Sequence, residues 1–344
     1  MRIGVVGCGW VFDLYMGTAG RHTGIAFTAL ADIDRARAER VGAAYGMHVH
    51  ANATALITDP EIDIVANFTP IPVHHEISRA ALEAGKHVYS EKPLTATLAD
   101  ARDLVELAEA RGLRLSAAPS NALSPSVQTL WSLVEAGAVG DVRLVYAEFD
   151  DNPVYLLGPE TWRSATGAPW PHLHEYEMGC TWEHAGYHLS WMCALFGPVR
   201  SLTAFSKRIL PDKTDRPLDP ADTPDFSVAA LDFASGVTAR LTNSIAAPTD
   251  HRMRIIGNRG ELWADTYRDY EAPVRLERFD PVALKARNAR TLRRHAALGA
   301  AFGIGGHRVP LVRPVPPGAS CPGRGSEGNV APPAAAARVM AGNG

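Results

Sequence analysis

Residues 1–122 constrain the fold most, because short apolar runs alternate there with helix-period segments across short connections. Residues 3–6, 27–30, 48–50, 62–68, 88–89 and 113–117 read as strands. Residues 34–46, 73–84 and 97–112 read as helices, and Gly46 and Gly85 stand where a helix end favours glycine. Asn52 is placed as an N-cap. The strand runs are apolar at successive positions, as expected of a sheet covered on both faces. Together these signals predict an α/β fold whose N-terminal part, 1–122, is a doubly wound parallel sheet of the Rossmann type.

Gly7-Cys8-Gly9-Trp10 falls between the first strand and the first helix. Gly7 permits a tight turn there, and Gly9 lets backbone approach a pyrophosphate at the helix N-terminus. Phe12 occupies the position of a third glycine, which serves helix packing rather than phosphate binding. Asp32 closes the second strand, where a carboxylate accepts hydrogen bonds from a ribose and repels a 2′-phosphate. NAD is therefore the expected cofactor. Arg35 lies close in sequence and leaves NADP possible.

His87-Val88-Tyr89-Ser90-Glu91-Lys92-Pro93 ends another strand with an acid, a cation and a proline. Pro93 cannot continue a central ladder, so Lys92 is placed at the strand's carboxyl end. In open α/β sheets that edge is where ligands bind. A solvated Glu91–Lys92 pair in a loop is the plainer reading of the triplet alone.

From about residue 142 the period changes. Residues 142–149, 199–205, 226–233, 237–245, 253–256 and 261–264 read as strands, with Ser235-Gly236 and Asn258-Arg259-Gly260 as hairpin turns. This predicts a second α/β unit over 123–304 with a large open, mainly antiparallel sheet. The densest polar cluster lies inside it: Trp162-Arg163, His172, His174, Glu175, Glu177 and Glu183-His184-Ala185-Gly186-Tyr187-His188. A helix over 181–196 would set His184 and His188 on one face. They could be half of a metal site, a proton-transfer residue facing Lys92, or hydrogen-bonded interfacial histidines. No third ligand stands at fixed spacing, so no metal is expected. From 305 to 344 Pro, Gly, Ala and Arg dominate without apolar period, which predicts a disordered tail.

The formal net charge of −3 over 344 residues gives no basic field for nucleic acid. Cys8, Cys180, Cys193 and Cys321 lack paired spacing, which suits a reducing cytoplasm. No run reaches the roughly 18 apolar residues of a membrane span.

These residues resemble the Gfo/Idh/MocA family of NAD(P)-dependent oxidoreductases. The resemblance rests on Gly7-Cys8-Gly9-Trp10, Asp32, Thr69-Pro70 with His74, Ala84-Gly85-Lys86-His87-Val88 running into Glu91-Lys92-Pro93, Trp162-Arg163 and Gly186-Tyr187-His188. It implies hydride transfer between nicotinamide and a secondary alcohol or ketone of a sugar or cyclitol, in a homodimer or homotetramer. It makes Lys92 the residue that orients the substrate hydroxyl and His188 the general acid/base. It places Gly7, Gly9, Trp10, Asp32, Thr69, Pro70, His74, Glu91 and Lys92 at the cofactor. Trp162, Arg163, Glu175 and His184 would meet a small polyol. The chain departs from the pattern at His184, where the family carries an aspartate. The expectation is then an enzyme of sugar or aminocyclitol biosynthesis, with His184 sharing the catalytic site. The alternatives are an NAD-dependent glycoside hydrolase and a silent cofactor-binding protein.

Overall fold

A computed structural model describes residues 1–279 and the backbone of residues 311–312. Six strands make the first sheet: β1 (Arg2–Val6), β2 (Ala26–Ala31), β3 (His48–Val49), β4 (Ile64–Asn67), β5 (His87–Ser90) and β6 (Leu115–Ala117). Their spatial order is β3-β2-β1-β4-β5-β6, and every pairing is parallel. Helices α1 (Trp10–Ala19), α2 (Arg35–Tyr45), α3 (Ala53–Ile57), α4 (His74–Glu83) and α5 (Leu98–Ala110) connect them. The direction of winding reverses between β1 and β4, so a crevice opens at their carboxyl ends.

Local chemistry fixes the helix starts. The side chains of Asp34, Asn52 and Thr97 accept from the backbone N–H of Arg37, Ala55 and Asp100, each worth about 1 kcal/mol to its helix. Gly46 ends α2 in the left-handed conformation. The sheet buries apolar layers on both faces: Val65, Leu82, Val88 and Leu104 on one, Val5, Phe12, Leu30 and Val41 on the other.

After α6 (Pro125–Glu135), the second sheet comprises β7 (Val142–Asp150), then, beyond α7 (His172–Phe196), β8 (Val199–Lys207), β9 (Phe226–Phe233), β10 (Thr238–Ser244), β11 (Met253–Gly257), β12 (Gly260–Ala264), β13 (Val274–Arg278) and β14 (Leu311–Val312). Its order is β14-β13-β12-β11-β7-β10-β9-β8. The pairing is antiparallel except where β10 runs parallel to β7, because the chain between them crosses through α7. Trp191, Met192 and Phe196 of α7 pack with Phe149, Leu231 and Phe233 of the sheet in one core.

Two expectations change. The helix expected over 181–196 begins at His172 and is broken at Gly179, whose φ is +80°. A Cβ there would lie 2.2 Å from the Thr223 side chain, so glycine lets the loop before β9 press against the break. The expected absence of order beyond residue 305 fails at Leu311–Val312, which pair with Val274 and Arg275. The rest of the 305–344 expectation, with Cys321, lies outside the described residues.

Candidate active site

The crevice at the end of β1 is made of backbone. Gly7 has φ +90°, and a Cβ on it would meet the Phe68 carbonyl oxygen at 2.7 Å. A Cβ on Gly9 would meet nothing within 4 Å, so the turn offers an open surface. Gly9 caps α1 without a side-chain hydrogen bond, and Trp10 is its first residue, leaving first-turn N–H groups and the positive end of the helix facing that surface. This cradle fits a dinucleotide pyrophosphate.

Asp32 sits beside the turn with its side chain 4% exposed. Its carboxylate accepts from the backbone N–H of Cys8 at 2.9 Å and of Asp34 at 2.8 Å. Arg35, the expected neighbour, instead donates to Glu39 and to the His50 carbonyl. Its position on α2 carries it away, and Arg37, two residues on, brings the cation to 3.5 Å from Asp32.

The next strand ends are clamped together. Buried Asn67 donates to the His74 carbonyl and to Ser78, and accepts from the Thr69 hydroxyl at 2.6 Å. The His74 ring, 1% exposed, lies 2.7 Å from both the Thr69 and Pro93 carbonyls. It therefore works behind the Thr69–Pro70 and Lys92–Pro93 segments, holding them in place. Glu91 accepts from the Tyr15 hydroxyl at 2.6 Å and from the Lys92 N–H, which fixes α1 to the end of β5.

Lys92 reaches across to α7, where its ammonium pairs with Glu183. Burial opposes its charge, but Glu175 and Glu183 outweigh that and raise its pKa above the ordinary value. Burial, with the Glu183 carboxyl nearby, holds the Glu175 carboxyl well above the usual range. A cavity of about 280 Å³ lies here, lined by Glu175, Glu183, His184, Asp151, Arg268 and the Trp162–Trp170 pair, whose ring centres are 4.9 Å apart.

The expected residues divide. Glu175, His184 and Trp162 line this cavity. Arg163 does not: its guanidinium turns back to the Glu160 and Trp162 carbonyls. His184 is 8% exposed and stacks on Phe149 at 4.2 Å between ring centres. Burial pushes its pKa down to about 3. His188 is fully buried, with Nε2 2.9 Å from the Glu148 carbonyl and Nδ1 accepting from Trp191 Nε1. Burial pushes it down to about 4. Both ring nitrogens are thus engaged by the protein, so the ring is the neutral Nε2–H tautomer and has no site left for a substrate proton. The Lys92 amine meets a carboxylate on α7 rather than this imidazole.

Asp151, Trp170 and Arg268 escaped sequence reasoning. Burial would raise the Asp151 carboxyl, but His251 and Arg268 prevail and hold it at about 2. The Asp150-Asp151 doublet after a strand is a usable signal for the first. Arg268 lies on a loop after β12 with no pattern to mark it.

Residues 1–118 match a family model described as the Gfo/Idh/MocA oxidoreductase family, NAD-binding Rossmann fold, and residues 127–263 match the Gfo/Idh/MocA C-terminal domain. An uncharacterized oxidoreductase of Synechocystis sp. is 25% identical over 285 residues, 78% of this chain and 73% of its own. Inositol 2-dehydrogenase 1 of Saccharopolyspora erythraea is 36% identical over 150 residues, 42% of this chain and 44% of its own. A mutant 3-ketoreductase from Actinomadura kijaniata, solved with TDP-benzene and NADP, superposes with a TM-score of 0.65 at 24% identity, covering 81% of each chain. At that identity the superposition speaks for fold. No helix among the described residues is long and apolar enough to cross a membrane.

Proposed function

The chain belongs to the Gfo/Idh/MocA oxidoreductase family, and from that premise we propose that it oxidises or reduces a secondary alcohol or ketone carbon of a sugar or cyclitol with NAD(P). One observation carries the reading: Lys92, at the carboxyl edge of the nucleotide sheet, is paired with a carboxylate that lines a sugar-sized cavity. The inositol dehydrogenase and ketoreductase relatives support the substrate class.

The bound nicotinamide would supply the hydride chemistry. Gly7, Gly9 and the first turn of α1 hold the pyrophosphate. Asp32 receives the ribose hydroxyls and favours NAD, while Arg37 offers a cation for a 2′-phosphate. Thr69, Pro70 and Glu91, backed by His74, shape the nicotinamide end. Lys92 stabilises negative charge on the reacting oxygen, which a low-dielectric site makes worth far more than in water. Trp162 and Trp170 provide apolar faces for a sugar ring. Asp151 and Arg268 bind hydroxyls beside them. A homodimer or homotetramer is consistent with the outer strand β8, where Leu202 and Phe205 are exposed among the described residues.

A panel of inositols, hexoses and their keto forms tests the reading, with NAD(H) and NADP(H) and absorbance of the reduced cofactor. Turnover of at least one member is expected. Sugar release without net redox would favour glycoside hydrolysis, and cofactor binding without turnover would favour a silent protein.

A further inference from the structure

The family resemblance assigns proton transfer to His188, yet that ring is fully enclosed and both nitrogens are bonded within the protein. Another group must exchange the proton if the cavity performs the reaction proposed above. Two glutamate carboxyls line it, Glu175 and Glu183, and Glu183 carries the Lys92 ion pair. Burial, with the Glu183 carboxyl nearby, holds the Glu175 carboxyl well above the usual range, so it keeps a proton at neutral pH while the carboxylate paired with Lys92 is open to accept one. A second polar group beside the pair has no partner among the described residues. His184 lines the same cavity at 8% exposure, and its Nδ1 meets no hydrogen-bonding partner among the described residues. A buried nitrogen of this kind costs about 1–3 kcal/mol unless something bonds to it.

We infer that the Glu175–Glu183 carboxyl pair, with Lys92 as counter-charge, exchanges the proton of the substrate hydroxyl, and that His188 is structural. The inference rests on the oxidoreductase reading. In oxidation the hydroxyl O–H bond breaks and its proton goes to the ionised carboxylate of the pair. The C–H bond breaks at the same carbon, its electron pair leaving as hydride to the oxidised nicotinamide, and the C=O bond forms. In reduction the pair returns the proton to the oxygen. Lys92 keeps its charge throughout: it compensates the pair's single negative charge before the transfer, and the pair, neutral after it, regains that charge when it releases the gained proton to solvent.

The charged and titratable groups around the pair come from four segments. Lys92 follows β5, and Asp151 follows β7. His184 and Tyr187 share α7 with the pair, and Arg268 follows β12. Asp151 pairs with Arg268 at 2.9 Å and with His251 at 3.2 Å, which leaves Lys92 as the cation in contact with Glu183.

Two measurements on the full chain decide the matter. In the first, glutamate is labelled with ¹³C and infrared difference spectra compare the native chain with Glu175→Gln at neutral pH. A protonated carboxyl band present in the native protein and lost in the variant is expected. Its absence from the native protein overturns the inference. In the second, turnover is measured on the active panel member, with NADH binding by fluorescence as the check on folding. Glu175→Gln and Glu183→Gln should each lower kcat by about 10²–10⁴ and change the pH profile, with NADH binding kept. His188→Gln, which preserves a donor and an acceptor, should stay within tenfold. Glutamine variants of normal activity, or a His188→Gln loss as large as theirs with NADH binding intact, overturn it. If the native chain turns over nothing on the panel, the oxidoreductase reading fails and this inference goes with it. Native activity with unaffected glutamine variants sinks this inference alone.

Discussion

At the carboxyl edge of the first sheet the working parts are main chain: a positive-φ turn at Gly7, an open Gly9 and the bare first turn of α1. Beside α7 they are side chains, and their roles depend on which way each one faces. Glu183, His184 and His188 occupy less than two turns of one helix. Yet Glu183 meets an ammonium, His184 lines the cavity, and His188 is sealed between β7 and Trp191. A backbone site survives as long as glycine and helix follow strand. A side-chain site can reassign its chemistry when one neighbour changes. With His184 at the position where an aspartate is usual, the acidic function beside Lys92 falls to Glu183 and Glu175.

If His188 is structural, His188→Leu should damage the fold rather than the chemistry. It leaves the Trp191 N–H and the Glu148 carbonyl unpaired in the core, each costing about 1–3 kcal/mol. Urea unfolding should register that loss, while turnover per folded molecule stays within tenfold. A variant of native stability and no turnover would erase the contrast between the two halves of α7.

Acid should act on the same helix. Unfolded imidazoles take up protons as pH drops through 6.5, whereas His184 and His188, held at about 3 and about 4, do so only later. The unfolded state then binds more protons, so stability falls as pH falls from 6.5 toward 4. Glu175 has the opposite sign above pH 4.5, because the folded carboxyl keeps a proton that the unfolded one has lost. The urea midpoint should therefore decline over this window, and decline more steeply in Glu175→Gln. A flat midpoint in both would show that neither histidine is buried as described.

On the nucleotide side, Gly7→Val should be the sharper probe, since it alters no ionisable group. Strain at positive φ costs roughly 1–3 kcal/mol, and the Phe68 carbonyl leaves no room for the side chain. NADH affinity should fall about tenfold or more in a fluorescence titration. Unchanged affinity would mean the turn does not hold the cofactor.

The sequence made the first region legible because its signals are local. Asp34, Asn52 and Gly46 announce helix ends, and Gly7 announces a turn, through chemistry within three or four residues. Lys92 was legible too, since Pro93 marks a strand end. The second region was harder for physical reasons. A helical period shows that His184 and His188 are neighbours but not which one lines the cavity, because that is decided by β7 and Tyr267 elsewhere in the chain. Arg35 and Arg37 differ by two positions on α2, enough to exchange which one reaches Asp32. Gly179, which breaks α7 between Glu175 and Glu183, reads in sequence as an ordinary helix start.

The most direct test of the account is Lys92→Met, assayed for NADH binding and for turnover of the active panel member in the same preparation. The account predicts NADH affinity within about threefold of the native chain and kcat lowered by at least the 10²–10³ expected when one charge-stabilising group is removed. Full turnover in that variant would contradict it, since no other cation among the described residues contacts Glu183.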